Sequence, residues 1–430
     1  MPHVLKTLTR DAWLLFTTRF IRLFAYGALS VVLVFYLVGL GLSTSQTGFL
    51  LTSTLFGDTL VSLYLTTRAD RIGRRRMLIV GAMLMAAAGL VFAFTHRLWL
   101  LIAAGTIGVI SPSGSEVGPF LSIEQAALSH VVPDHARTEV LAWYTLAGSV
   151  ATALGALAAG SITQALQQTA MTPVSSYRAM VMLYAGLGAV LMLVFSRLSP
   201  AAEAVNRGAK APFRLTLAGI SGIDRSRHVV FKLSGLFALD AFGGGFVIQS
   251  FAAYWFYLRF GVNPETLGML FFAANILAGV SALLASRLAA RFGLLNTMVA
   301  THLPSNVLLI LLPLMPSLSL AVLVLLVRFS ISQMDVPTRQ SYTMAVVDPA
   351  ERSAAAGITG VARTTGAALS PLFVGFMFAR PSLVNAPFFI AGTLKIAYDL
   401  LLYREFSAVT PPEEAATPGV TETPRTRPRR

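Results

Sequence analysis

The sequence predicts an all-α integral membrane protein, with twelve transmembrane helices in two pseudo-symmetric six-helix halves. Three observations carry this reading. The first is composition: 55% of the 430 residues are hydrophobic and only 12% charged, whereas a water-soluble chain carries about a quarter charged residues. Twelve spans of ~20 residues use about 240 positions, which leaves short loops and one longer linker. The second is the turn Ala69-Asp70-Arg71-Ile72-Gly73-Arg74-Arg75-Arg76, charged at five of its eight positions between two nearly pure hydrocarbon runs. The third is an internal repeat.

A turn that short between two spans sits at one membrane face, and its arginine excess places that face in the cytoplasm by the positive-inside rule. Residues 1–18, with Lys6, Arg10 and Trp13, are expected to lie along the inner interface; they lack a secretory cleavage pattern. Spans follow at about 19–42, 48–65, 77–94 and from 98 onward. The fourth is interrupted by Ser111-Pro112-Ser113-Gly114 and Gly118-Pro119, tolerable at membrane depth where neighbours or a cavity satisfy the freed backbone. Spans at about 140–166 and 177–195 close the first half, residues 1–198. Residues 199–228, rich in arginine, form a cytoplasmic linker. The second half, residues 229–403, has spans at about 229–258, 267–290, 295–314, 318–347, 353–379 and 386–403. The Pro/Thr/Glu/Arg-rich stretch 404–430 has nothing to bury and is expected to be a disordered cytoplasmic tail. Alternate crossing puts both termini in the cytoplasm.

The repeat is read from loops and glycines. Gly41, Gly48 and Gly73 lie 220 residues before Gly261, Gly268 and Gly293. At an offset of 215, Gln125 meets Gln340, Glu124 meets Arg339 and Gly160 meets Gly375. A six-plus-six duplication with a cytoplasmic linker is the architecture of alternating-access carriers.

The Asp-Arg-x-Gly-Arg-Arg order at 70–75 resembles the loop between helices 2 and 3 of the major facilitator superfamily, in its bacterial small-solute or drug-exporter-like branch. The resemblance covers residues 19–403, nearly the whole chain. It implies a cytoplasmic gate of Asp70, Arg71, Gly73 and Arg74, with the loop acid Asp70 contacting the start of helix 11 near Glu351, Arg352 and Ser353. The sequence departs from the family pattern at Thr66, Arg68 and Ala290. The span 5 signature is reduced to Gly155-Ala156 and Gly160, and the early arginine of span 4 has its counterpart only as Arg328 in span 10.

Charges inside hydrocarbon cost several kcal/mol and are functional candidates by default. Asp58 lies twelve residues from Asp70, about 18 Å along a helix, so it is placed near mid-membrane. It is the first candidate for proton coupling, against an equally weighted reading as a hydrogen-bonded structural acid. Asp240, ahead of Gly243-Gly244-Gly245, is placed at the cavity, and Glu116 beside the span 4 break. Asp335 and Arg328 in span 10 and Arg363 in span 11 complete the cavity candidates, Arg363 being deep enough to meet an anionic group. Glu124 and Arg339 are expected either to pair across the halves as a gate or to pair within their own halves. The bland readings hold elsewhere: Arg19 and Arg22 as snorkelling anchors, Lys395 and Asp399 as an i,i+4 pair, and Tyr254–Tyr257 as an interface belt.

The net charge of +14 is dispersed at span ends, which fits anionic lipid and orientation rather than nucleic acid. No cysteine occurs, and no Walker loop, metal-spaced histidines or serine elbow is present, so neither enzyme nor cofactor is expected. The expectation is a monomeric secondary transporter in the plasma (bacterial inner) membrane, moving a small organic solute by proton-coupled efflux. Uptake is the alternative direction, and a non-transporting sensor or scaffold the alternative class.

Overall fold

The computed structural model describes residues 8–116, 118–133, 136–203, 223, 225–349 and 351–407. Most of the linker, with Arg207, Lys210 and Arg214, lies outside the described residues, as do Lys6, the loop positions Asp134 and His135, and the tail from 408. Among the described residues the chain is helical with no strand.

Among the described residues eleven helices are long and apolar enough to cross a membrane: Arg10–Gly39, Thr44–Ile72, Arg74–Phe94, Glu139–Gln168, Pro173–Phe195, Arg227–Phe260, Pro264–Phe292, Leu294–Leu314, Leu318–Ala345, Ala354–Phe378 and Pro381–Phe406. The remaining crossing, span 4, is made in two pieces, Leu98–Ile107 and Phe120–Val131. The protein is thus a multi-pass integral membrane protein of twelve spans, numbered 1 to 12 in chain order. We call the side holding the turns at Gly73 and Gly293 the basic face, and the other the opposite face.

Span 1 corrects the expectation for residues 1–18. Thr9 caps a helix that begins at Arg10 and runs unbroken to Gly39. Asp11 accepts from the amide of Ser199 at 3.1 Å and from its hydroxyl, tying this entry to the end of span 6. The polar lead-in from Arg10 is therefore a continuation of span 1 and not a separate interfacial segment.

The repeat reappears in three dimensions. Ser43 and Asn263, 220 residues apart, each cap the following span at its opposite-face start. Gly73 and Gly293 end spans 2 and 8 with φ of 117° and 84°, a conformation that glycine adopts at little cost. Spans 1 and 5 pack together, as do 3 and 6, 7 and 11, and 9 and 12; spans 2 and 11 and spans 5 and 8 join the halves.

Both interrupted spans are satisfied by neighbours. In span 4, Ser111 donates to the Ser115 carbonyl at 2.7 Å, and Tyr184 donates to the carbonyl of Val109. Span 7 breaks between Gly245 and Gln249. There the amide and hydroxyl of Ser250 reach across the halves to the Pro112 carbonyl at 3.2 and 2.5 Å. Two helix breaks therefore face each other, and the freed carbonyl of one meets donors of the other, as backbone inside a membrane requires.

Candidate functional site

Two buried ion-pair groups dominate the interior, one in each half. In the first, Arg22 of span 1 makes two parallel bonds to Glu124 of span 4, at 2.7 and 2.8 Å, and neither side chain is exposed. Arg22 also reaches Glu116 at 3.1 Å, and Arg19 donates to Glu116 at 2.5 Å. Thr18 at 2.8 Å and the Tyr144 hydroxyl complete the shell of Glu124. The guanidinium planes lie over rings, Arg19 over Tyr144 and Arg22 over Phe120. Gly148 leaves the room that Arg19 fills, because a Cβ there would stand 2.7 Å from its Nε. Arg19 and Arg22 are thus not snorkelling anchors: the helix starts nine residues before Arg19, which carries both guanidinium groups inward.

In the second group, Asp240 of span 7 accepts from Arg339 of span 10 at 3.0 Å and from Lys395 of span 12 at 2.5 Å. Arg339 also holds Asp335 at 2.8 Å. Lys395 and Asp399 do not pair with each other. Lys395 turns to Asp240, while Asp399 accepts from Asn306 at 2.9 Å and lies 2.7 Å from Nδ1 of His302. Their i,i+4 spacing is overridden because span 12 faces spans 7 and 9 at once. His302 and Asn306 fall in the polar stretch Thr301–Asn306 of span 9, which carries no motif that marks them in the sequence.

Glu124 and Arg339 occupy matching repeat positions, and each is paired inside its own half. Arg328 and Arg363 each keep a buried Nε without a hydrogen-bond partner. Among the described residues neither joins an ion pair, and Arg363 is flanked by Arg339, Asp240 and Asp335. Asp58 is buried in span 2 with Oδ1 unpartnered, beside Ser62 and the Gly118 backbone at the span 4 break.

At the basic face, Asp70 is largely exposed and pairs with Arg74 at 2.8 Å, while Arg71 is exposed. Glu351 accepts from the amides of Arg225 and Ser226, and among the described residues no ion pair joins Asp70 to Arg352. Asp70 thus belongs to the first half and pairs there with Arg74, while the start of span 11 belongs to the second. Glu203 instead caps span 3, accepting from the amides of Arg74 and Arg75.

The opposite face is where the halves meet closely. A Cβ at Gly48 would stand 2.4 Å from the Pro371 carbonyl, and one at Gly375 2.4 Å from that of Thr44. A Cβ at Gly160 would stand 2.5 Å from the Pro264 carbonyl. The pairs 48/375 and 160/268 are images of one another under the repeat. Gln249 adds a bond to Ser30 across the halves at 2.8 Å. Beside this seam lies a cavity of about 560 Å³ lined by Phe35, Tyr177, Tyr254, Tyr257, Gln164 and Gln167. The aromatic run of span 7 is therefore not an interface belt. Trp255 and Phe256 are buried, Trp255 donating to Asn385 at 2.9 Å, and Tyr254 and Tyr257 pack on Phe35.

The sequence model for the Major Facilitator Superfamily matches residues 15–371, and again 236–428. An uncharacterized membrane protein of Saccharomyces cerevisiae, YJR124C, is 31% identical over 429 residues, covering 94% of this chain and 96% of that protein. Among solved structures, the nucleoside transporter NupG superposes with a TM-score of 0.71 at 14% identity, over 93% of this chain and 99% of that one. A D-xylose–proton symporter superposes with a TM-score of 0.68 at 16% identity, over 91% and 97%.

Proposed function

The chain belongs to the Major Facilitator Superfamily, and from that premise we propose that it carries a small organic solute across the membrane by alternating access, coupled to protons and in the export direction. The observation that carries this reading is the asymmetry between the faces. Glycine-to-glycine contacts join the halves at the opposite face, while at the basic face Asp70 pairs with Arg74 of the first half and Glu351 accepts from the amides of Arg225 and Ser226 of the second. That is one end state of a rocking pair. The basic face is the cytoplasmic one, since arginine collects there, so this state opens inward.

In this reading Asp58, Asp240, Asp335, Arg328 and Arg363 meet the central path, and Asp70, Arg71, Gly73, Arg74 and Arg352 act in the cytoplasmic gate, while Glu116, Glu124 and Arg339 hold the ion pairs inside their own halves. Rocking toward the outward state brings the basic-face ends together and offers Asp70 the start of span 11. Asp58 is the first-half acid poised for a proton, being buried with one oxygen unpartnered. The fold neighbours, a nucleoside carrier and a xylose–proton symporter, suggest which solutes to test first.

The test is transport by purified protein in liposomes holding a pH-sensitive dye, against a panel of a nucleoside, D-xylose, a dipeptide and cationic drugs. One solute moves saturably and carries protons in the opposite direction. Protons moving with the solute reverse the direction assigned here, and a sodium-driven flux ends the proton reading. A protein that moves nothing in any gradient belongs to the sensor or scaffold class.

A further inference from the structure

We infer that His302 is the proton-binding group of the second half, taking a proton at Nε2 and sharing it with Asp240. The inference rests on the transport reading above only for its consequence; the site itself is read from geometry. Nδ1 of His302 lies 2.7 Å from Oδ1 of Asp399. Asp399 is wholly buried and already accepts from Asn306 on its other oxygen at 2.9 Å. The carboxylate accepts a hydrogen bond from Nδ1–H at that distance, closer than the Asn306 amide nitrogen at 3.1 Å, which donates to Asp399 instead, and the tautomer is thereby fixed. The neutral ring is then left with its lone pair on Nε2, and Nε2 faces Oδ1 of Asp240 at 3.7 Å.

Two acceptors facing each other at that distance make no bond. One added proton changes this, turning the approach into a charge-assisted contact, which closes to ~2.8 Å. Asp240 is the group most affected, because the same Oδ1 is held by Lys395 at 2.5 Å and the other oxygen by Arg339 at 3.0 Å. A protonated His302 therefore competes with Lys395 for one carboxylate oxygen. That competition links proton uptake to the contacts that tie span 7 to spans 10 and 12.

Charged groups face the ring from several spans. Span 12 presents Lys395, Asp399 and Tyr398, whose ring meets the imidazole edge to face at 5.8 Å. Span 10 presents Asp335, Arg339 and Arg328, span 11 presents Arg363, and span 7 presents Asp240. Span 8 carries Arg287 and Arg291 only at its basic-face end. The hydrogen-bonded group thus holds three carboxylates beside Arg339 and Lys395, with Arg328 and Arg363 flanking it without an ion pair among the described residues. Pro304, inside the same helix two residues on, removes one backbone hydrogen bond beside the ring.

The experiment is nitrogen-15 NMR of the full chain, labelled at histidine, in lipid nanodiscs. His302 is one of six histidines, and the signal lost in His302→Gln assigns it. At about pH 8.5 the parent shows a hydrogen on Nδ1 alone, and acidification to about pH 5 adds a second on Nε2. Asp240→Asn keeps the Nδ1-only form at about pH 5. Asp399→Asn, which leaves Asp240 and its cations in place, loses the fixed tautomer at about pH 8.5. The inference is overturned by a His302 signal that stays the same across the range, or by an Asp240→Asn protein that behaves as the parent. A solute flux without protons in parent liposomes defeats the coupling reading under the proposed function, and the ring signals still decide this site.

Discussion

In the first half, span 1 supplies the cation and span 4 the anion, and Arg22 meets Glu124; in the second, span 7 supplies the anion and span 10 the cation, and Asp240 meets Arg339. Glu124 and Arg339 sit 215 residues apart at matching repeat positions. Duplication kept the place of the ion pair and reversed its sign. The two groups also differ in saturation. The first is a compact set in which Arg22 uses all three guanidinium nitrogens on two glutamates. The second spreads one carboxylate over a lysine and an arginine and keeps an imidazole 3.7 Å away. A saturated pair holds a helix contact, whereas a shared carboxylate beside a titratable ring can trade partners. The first group is accordingly the fixed end of the machine and the second the end that changes.

The largest effect separates them by stability. Arg22→Ala leaves Glu124 buried without its cation, and removing one partner of a buried pair costs about 3–5 kcal/mol. We expect a loss of thermal stability and of monodisperse protein, measured by melting in detergent and size-exclusion chromatography. A variant as stable as the parent contradicts a structural first half. Lys395→Met is milder, because Arg339 still holds Asp240 and one hydrogen bond to a charged group contributes about 1.5–3 kcal/mol. It should fold, and its proton flux should change more than its melting temperature.

The glycine seam tests the seal. Gly375→Val drives a side chain into the Thr44 carbonyl, 2.4 Å from the new Cβ, and overpacking of this kind costs about 1–3 kcal/mol. Span 11 must pull back from span 2, so the expected outcome is an opposite face that cannot close. Membrane insertion should be normal and solute exchange at least tenfold slower, as a barrier increase of about 1.4 kcal/mol gives. Gly268→Val, at the repeat-related seam, should do the same. The smallest effect falls on Asp70→Asn. An exposed pair such as Asp70–Arg74 contributes about 0–1 kcal/mol, so melting should hardly move while transport drops if Asp70 engages span 11 in the other state.

Much of this was legible in the sequence, and the boundary is physical. Hydropathy and arginine placement gave the twelve spans, and the broken fourth span followed from its prolines. Glycines matched at 220 and 215 gave the repeat; that four of them, Gly48, Gly160, Gly268 and Gly375, lie at the seams came from the structure, because close backbone approach is invisible in the sequence. What was missed came from depth and from partners far along the chain. Arg22 reads as a helix-end anchor when span 1 is taken to begin at Arg19. Starting at Arg10 instead places it twelve residues in, about 18 Å from the start. Lys395 and Asp399 read as a local pair because their spacing allows one, yet Asp240 lies 155 residues from Lys395 and outcompetes it. His302 carries no local sign at all, its nearest carboxylate being 97 residues away.

The account turns on two faces that open in alternation, and the cysteine-free chain allows this to be measured by paired spin labels. One pair, Ile72→Cys with Phe292→Cys, spans the basic face at repeat-related exposed positions; the other, Ser45→Cys with Glu265→Cys, spans the opposite face. Distances are recorded in nanodiscs by double electron–electron resonance at about pH 5 and about pH 8.5, with and without the solute found in liposomes. The account predicts opposed changes, the basic-face distance shortening as the opposite-face distance lengthens. Distances that stay fixed under every condition, or that lengthen together, contradict it.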